Sequence, residues 1–398
     1  MDTVVPWWQT SSLCVEHDNL TLDGVALHEI ARQHGTPLYV YSRPTVRRQL
    51  ATLQSLLDQV TASHRLYYAM KANRCPEILA TVRGIPGAGI DTCSPREVAT
   101  ALASGFIPAE ISFNAGMLSD RDLAFVAETT VHCTLDSFSA LRRYGERAAP
   151  GAPVGLRFDA GVSASYGQHP KMVYGKSKFG FEAEECTAAL AAAKSAGLRV
   201  DSVAMHIGWG LPQESADLID WAFGRLAAVA RQTPDLASIN IGGGLGGRYL
   251  AADRPLSLET WSTMIAKHLA PLGVTIVCEP GTWVVAPAGV LIVEVNTVET
   301  RRQIQWIGVD AGYAINPLPA MYDIPLEVLP LCDPLAAPLL TAHIAGHINE
   351  GLDIWAKARL MPPVREGDLL AFFPAGAYGS SMASNHCMRG EFGEVAVG

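Results

Sequence analysis

Between Arg65 and Glu279 the chain repeats one pattern eight times: a short apolar run, then a longer alanine-rich stretch with helical spacing. The apolar runs fall at 66–70, 89–91, 111–113, 132–135, 154–158, 203–207, 239–241 and 275–278. The stretches between them lie at 76–82, 94–104, 120–128, 137–144, 182–196, 215–233 and 258–269. Strands that alternate with helices pair in parallel, because a parallel neighbour is reached only through a crossover. A doubly wound open sheet alternates in the same way but seldom needs eight units, whereas eight is the number that closes a barrel. The pattern therefore predicts a (β/α)8 barrel.

The flanks read differently. A short β lead at 20–22 precedes a helix at 25–33, which Gly35-Thr36-Pro37 ends. A strand follows at 38–41, then a helix at 44–59 with Val46, Leu50, Leu53 and Leu57 on one face. After Pro280 the runs at 284–298 and 304–309 alternate like antiparallel strands, prolines are dense from 317 to 338, and 369–374 reads as a further strand. We expect an N-terminal segment, 1–35, that joins the β domain, a barrel over 36–284, and a C-terminal β-sandwich or β-barrel domain over 285–398.

Composition narrows the function classes. Hydrophobic residues make up 49% and charged residues 17%, so a large core is readily buried. A formal charge of −9 argues against nucleic acid or an anionic membrane surface as partner. No apolar run reaches about 18 residues, the length a membrane span needs. The start, Met1-Asp2-Thr3-Val4-Val5-Pro6-Trp7-Trp8, lacks the basic and apolar blocks of a signal peptide. Eight cysteines are scattered singly with no CxxC pair, which suits a reducing cytoplasm and suggests neither zinc nor a disulfide framework. His343 and His347 are four apart, but Gly346 and the strand-like context argue against a metal pair.

In a barrel of this kind, chemistry sits at the C-terminal ends of the strands. Reading those ends in order gives Lys71, Asp91, Asn114, Asp136, Arg157, His206, Gly242-Gly243-Gly244 and Glu279. Lys71 closes the run Tyr67-Tyr68-Ala69-Met70. Burial at such a place lowers a lysine's pKa and frees the lone pair for a Schiff base. The glycine cluster can lay bare backbone N–H groups on a phosphate. Glu279, fixed by the Pro280-Gly281 turn, can hold a pyridine nitrogen protonated, and His206 can stack on a flat ring. Each alone also fits a plain role: a surface lysine, a flexible loop, a solvent-facing carboxylate, a structural histidine. Together they suit a phosphate-bearing pyridine.

The anchors Tyr68-Ala69-Met70-Lys71-Ala72-Asn73, Ser177-Lys178-Phe179-Gly180, His206-Ile207-Gly208, Gly242-Gly243-Gly244, Glu279-Pro280-Gly281, Asp310-Ala311-Gly312 and Ala375-Gly376-Ala377-Tyr378-Gly379 span nearly the whole chain. With them the chain resembles the fold type III pyridoxal phosphate (PLP)-dependent decarboxylases, the group of diaminopimelate, ornithine and arginine decarboxylases. The resemblance implies an alanine-racemase-type barrel with a β domain, in a head-to-tail homodimer with shared active sites. It implies that Lys71 carries PLP as a Schiff base, with Asp91 near it and Arg157 in the pocket. His206 would stack on the ring, Gly243, Gly244, Gly281 and Tyr378 would hold the phosphate, and Glu279 would pair with the ring nitrogen.

Departures from the family pattern shape the substrate expectation. Thr282 stands where the family has arginine after Glu-Pro-Gly, and Leu318 replaces the arginine of an Arg-Pro-Ala-x-Tyr stretch. Charge-assisted pairs are worth roughly 1.5–3 kcal/mol each, so the loss predicts that meso-diaminopimelate is not the substrate. Asn349-Glu350 stands where the family places an interface cysteine implicated in proton delivery, and Trp209 follows His206-Ile207-Gly208 in place of serine. Tyr322-Asp323 resembles the pair that ornithine decarboxylases set near a distal amine. We expect a cytoplasmic decarboxylase with Lys71, Asn349 and Glu350 in catalysis. Thr282, Leu318, Tyr322, Asp323 and Glu350 would meet a non-standard amino acid or aminoacyl conjugate of a specialised pathway. A non-catalytic PLP binder and a PLP racemase or epimerase are the rivals. Racemases of this fold typically set arginine against the ring nitrogen, so Glu279 favours decarboxylation.

Overall fold

The computed structural model describes residues 5–168 and 170–398. The first four residues, where the reading of the N-terminus began, lie outside them. All eight predicted runs are strands of one closed parallel barrel: β1 (His64–Ala69), β2 (Ala88–Thr92), β3 (Ile111–Asn114), β4 (His132–Leu135), β5 (Pro153–Phe158), β6 (Arg199–Met205), β7 (Ser238–Asn240) and β8 (Thr275–Cys278). The ring closes where Ile276, Val277 and Cys278 of β8 pair with His64, Arg65 and Leu66 of β1.

The crossover helices start where the sequence supplies caps. Ser94, Ser119, Ser137 and Ser257 each accept a backbone N–H from the first turn of the helix that follows. Pro76 and Pro95 open theirs, where a missing N–H does no harm. The long β5-to-β6 connection is more than a helix: before the helix Cys186–Ser195, residues 159–168 and 170–181 form a cover that brings Tyr174, Lys178 and Phe179 to the barrel mouth. Phe181 bridges to Phe158, and Asp159 accepts the backbone N–H of Gly161 and Lys176, which pins that cover at its root.

The second region is a mixed sheet built on the long strand Gly289–Arg301. That strand starts at 289 rather than 284, because Thr282–Val285 turn as a short helix first. Gly289 has no room for a side chain: a Cβ there would lie 2.3 Å from Gly376 Cα. Two pairings depart from expectation. Ile304–Val309 is antiparallel to Gly289–Arg301, as predicted, but parallel to Leu340–Ala345. Leu38–Ser42, expected within the barrel portion, pairs instead with Gly289–Arg301 and Gly393–Val397. All five of its residues are buried, so it fits a position between two neighbours better than an edge.

The N-terminal strands Leu13–Glu16, Asn19–Leu22 and Val25–Ala26 make a small antiparallel sheet. Its Leu13, Leu20 and Leu22 pack with Val290, Ile292, Ala371 and Phe373, and Leu20 N–H donates to Leu331 at 2.9 Å. The N-terminal segment thus extends the core of the β region. Among the described residues, no helix is long and apolar enough to cross a membrane.

Candidate active site

The C-terminal ends of the barrel strands converge on a cavity of about 370 Å³. Lys71 enters it from a single tight turn, Met70–Ala72, directly after β1. Its Nζ lies 3.0 Å from Asp91 Oδ2, at the end of β2, and 3.3 Å from Cys93 Sγ. Asp91 is fully buried, and its second oxygen, Oδ1, has no partner among the described residues. Burial and nearby Glu279 push the Asp91 carboxyl upward, against the pull of Lys71. Burial also works against the Lys71 ammonium. Here Asp91, Cys93, Tyr378 and Glu279 outweigh it and hold the amine well above the usual lysine value. This corrects the expectation of a lysine freed by burial: with these groups around it, the chain alone keeps Lys71 charged.

Glu279 follows β8, next to β1 across the closure. Its carboxylate accepts from Asn240 Nδ2 at 2.6 Å, Ser112 Oγ at 3.3 Å and Asn114 Nδ2 at 3.4 Å. These donors fix an acceptor in the cavity wall. His206, on the same wall, is driven well below the usual histidine value by burial, Arg157 and Lys71, so its ring is neutral. The edge of Tyr174 meets it, ring centroids 4.7 Å apart. Arg157 stacks 4.3 Å over the Phe179 ring and reaches Asn114 Oδ1 at 3.5 Å.

One side of the cavity is bare backbone. A Cβ on Gly243 would sit 2.3 Å from Glu279 O, and one on Gly281 would touch Ala72 Cβ at 3.0 Å. Gly244 holds a φ of +104°, which glycine tolerates best. Tyr378 closes this side, its N–H bonded to Ala72 O at 2.8 Å, and burial pushes its phenol up to about 12, so it keeps its proton as a donor. A glycine cradle, a protonated phenol, a fixed carboxylate and a lysine beside an orphaned buried acid fit a phosphorylated pyridine aldehyde.

Of the residues singled out in the sequence, Lys71, Arg157, His206, Gly243, Gly244, Glu279, Gly281, Thr282 and Tyr378 line this cavity. Asp91 stands behind Lys71. Five do not line it. Asn349 and Glu350 are exposed, and Glu350 Oε1 lies 3.5 Å from His386 Nε2. Leu318 is buried, and Asp323 ends the short helix Leu318–Tyr322. Tyr322 comes close enough to Tyr174 to add to the rise that burial gives its phenol. Sequence reasoning missed Cys93, Tyr174 and Met117 on the wall, and Ser112 and Asn240 beneath Glu279. Cys93 had a legible signal, two residues beyond Asp91 at the same strand end. Ser112 and Asn240 had a weaker one, as polar residues in apolar strands.

The sequence profile described as pyridoxal-dependent decarboxylase, pyridoxal binding domain, matches residues 43–286. The chain belongs to the pyridoxal-dependent decarboxylases. As in that family, its cofactor is PLP and its chemistry that of a carboxy-lyase. Diaminopimelate decarboxylase from Pseudomonas aeruginosa is 34% identical, over 95% of this chain and 91% of its own. The one from Methanothermobacter thermautotrophicus is 31% identical, over 95% and 90%. The crystal structure of diaminopimelate decarboxylase from Helicobacter pylori complexed with L-lysine superimposes with a TM-score of 0.86 at 27% identity, covering 94% of each chain.

These relatives overturn the exclusion of meso-diaminopimelate. That exclusion counted arginines at two positions only, Thr282 and Leu318. This decarboxylase carries other cations, Arg157 and Lys178, on the wall of its cavity, so the missing pair does not leave the pocket without partners for a carboxylate.

Proposed function

We propose that the chain decarboxylates meso-diaminopimelate at one α-carbon, releasing CO2 and leaving lysine. The observation that carries this reading is the cavity itself, which sets Lys71 and Glu279 on adjacent strands and adds Arg157 and Lys178 for carboxylates. The near full-length likeness to diaminopimelate decarboxylases supports the substrate.

When bound, PLP supplies a ring that accepts the electrons left behind as CO2 departs. The chain's residues divide the remaining work. Lys71 would anchor the cofactor aldehyde, and Asp91 holds the lysine in place from behind. Gly243, Gly244, Gly281 and Tyr378 offer donors to the phosphate. Glu279, held by Asn240, Ser112 and Asn114, holds a proton at the ring nitrogen. His206 bears on the ring face as a neutral group and adds no charge there. Thr282 shapes the substrate side.

We propose further that the protein is a head-to-tail homodimer in which Asn349 and Glu350 approach a neighbouring cavity. Their exposure and their distance from the cavity of their own chain support this. The chain would divide after Ser42 and near residue 285, in keeping with the sheet that Leu38–Ser42 joins and with the match to 43–286. The free state of all eight cysteines supports a reducing, cytoplasmic location.

The test is CO2 release by purified, PLP-loaded protein from meso-diaminopimelate, lysine, ornithine, arginine and an amide-conjugated amino acid, with lysine measured as product. Stoichiometric CO2 and lysine from meso-diaminopimelate is the expected result. Release from another member of the panel and none from meso-diaminopimelate overturns the substrate. A loaded protein that releases nothing overturns the reading as a whole.

A further inference from the structure

Among the described residues, the proton-bearing groups of the cavity wall that the roles above leave idle include Tyr174, which packs against His206, and Cys93, which lies against Lys71. Cys93 follows Asp91 by two residues at the end of β2, lines the cavity, and sets its Sγ 3.3 Å from Lys71 Nζ. No other sulfur-bearing donor lies against Lys71 among the contacts of the described residues. Its backbone N–H is tied to Glu97 Oε2 at 2.6 Å, so the side chain is held at the first turn of the helix Pro95–Ala103 and cannot drift from the lysine.

Decarboxylation consumes a proton: the C–C bond to the carboxylate breaks, its electron pair stays on the α-carbon, and a new C–H bond must form there. The substrate's amine takes the place of the Lys71 amine on the cofactor's aldehyde carbon. The α-carbon then lies one bond from where Nζ stands, within the reach of a group 3.3 Å from Nζ. Asn349, where the family keeps a thiol, has no titratable proton to give.

We propose that Cys93 is a catalytic residue of this decarboxylase, the acid that delivers the proton to the α-carbon vacated by CO2. The S–H bond breaks with its electrons left on sulfur, the C–H bond forms, and Lys71, in contact with that sulfur, returns a proton to it. The other groups on the wall are committed or unsuited. Glu279 is tied to three donors, and His206 is neutral and packed against Tyr174. Burial pushes the Cys93 thiol up to about 12, against the opposing pull of Lys71, so it stands loaded with its proton at neutral pH. A thiol in that state is an acid rather than a nucleophile.

This proposal rests on the decarboxylase reading, and its test separates the two. CO2 loss precedes proton delivery, so Cys93→Ala is expected to go on releasing CO2 from whichever amino acid of the panel the wild type accepts. What changes is the fate of the carbon. Without its acid, the proton goes to the cofactor's own carbon in a share of turnovers. Water then releases a carbonyl compound and leaves pyridoxamine phosphate. Wild type gives one amine per CO2. Cys93→Ala is expected to raise the carbonyl share at least tenfold, with pyridoxamine phosphate accumulating, and Cys93→Ser is expected to restore part of the amine yield. An amine-to-CO2 ratio of one in Cys93→Ala overturns the proposal and leaves the decarboxylase reading standing. No CO2 from wild type on any substrate overturns both.

Labelling gives a readout apart from turnover. Prolonged N-ethylmaleimide labelling at alkaline pH, where a share of the Cys93 thiol ionises, followed by peptide mass mapping, is expected to find Cys93 protected at least tenfold when PLP is loaded, while exposed Cys332 and Cys387 label equally in both states. Equal labelling of Cys93 with and without PLP places the thiol away from the cofactor and overturns the proposal.

Discussion

The two ends of the barrel each hold a polar cavity, and the larger one is the wrong one. The N-terminal end opens on about 540 Å³ lined by Arg65, Tyr67, His132, Asp201 and Ser202, against about 370 Å³ at the C-terminal end. At the N-terminal end polar groups meet partners: His132 Nε2 lies 2.8 Å from Asp201 Oδ1, and Arg199 Nη2 lies 3.3 Å from Asp201 Oδ2. At the C-terminal end two buried carboxylates, Asp91 and Glu279, share one lysine, and an oxygen of Asp91 is left without a partner. Volume measures where strands fail to fill space. Unmet electrostatic demand marks where something else is meant to bind. The ends are separated by a single layer, since Ser112 and Asn240 line the lower cavity while donating to Glu279 above.

The contrast can be broken by mutation, and the largest effect belongs to the upper end. Lys71→Ala is expected to lower CO2 release by roughly 10⁴-fold or more, the scale on which an essential covalent group acts, and to lose the Schiff-base absorbance with it. Glu279→Gln keeps the shape and removes the charge, so kcat should fall by about 10²- to 10³-fold, the usual penalty for losing one electrostatic stabiliser. An unchanged kcat in either variant would erase the distinction between the ends.

A pH experiment sharpens the comparison. His206 has its pKa depressed in the folded chain by burial, Arg157 and Lys71. Its contribution to stability is therefore whole above the unfolded value of about 6.5 and is lost as pH falls below it. The cofactor-free wild type should lose urea stability from pH 6.5 downward more steeply than His206→Gln, by at most about 1.4 kcal/mol per pH unit for one proton. The smallest effect belongs to the lower end. His132→Ala should change the unfolding free energy from urea titration by no more than about 1 kcal/mol, as partly exposed polar pairs do, with kcat unmoved.

How much of this was legible depended on the range of the cause. The eight barrel strands were readable because each is a local apolar run set off by loop or helix residues, and Lys71 and Glu279 because strand ends were the place to look. Leu38–Ser42 was misplaced because its partners, Gly289–Arg301 and Gly393–Val397, lie some 250 and 350 residues away in sequence and leave no local mark. The parallel pairing of Ile304–Val309 with Leu340–Ala345 was hidden because alternation within a run does not say which neighbour it takes or in which direction. Substrate choice was misjudged because two sequence positions were counted without Arg157 and Lys178, which only the folded cover over the mouth brings to the same wall.

The barrel closes between its last strand and its first, and the two groups that would grip opposite ends of the cofactor ring sit on either side of that closure. Lys71 leaves the ribosome some two hundred residues before Glu279 exists. No nascent or truncated chain that stops short of β8 can hold the ring at both points, so full cofactor capture is a report that synthesis has passed the seam. Uptake of the chromophore can therefore serve as a clock for closure of the barrel.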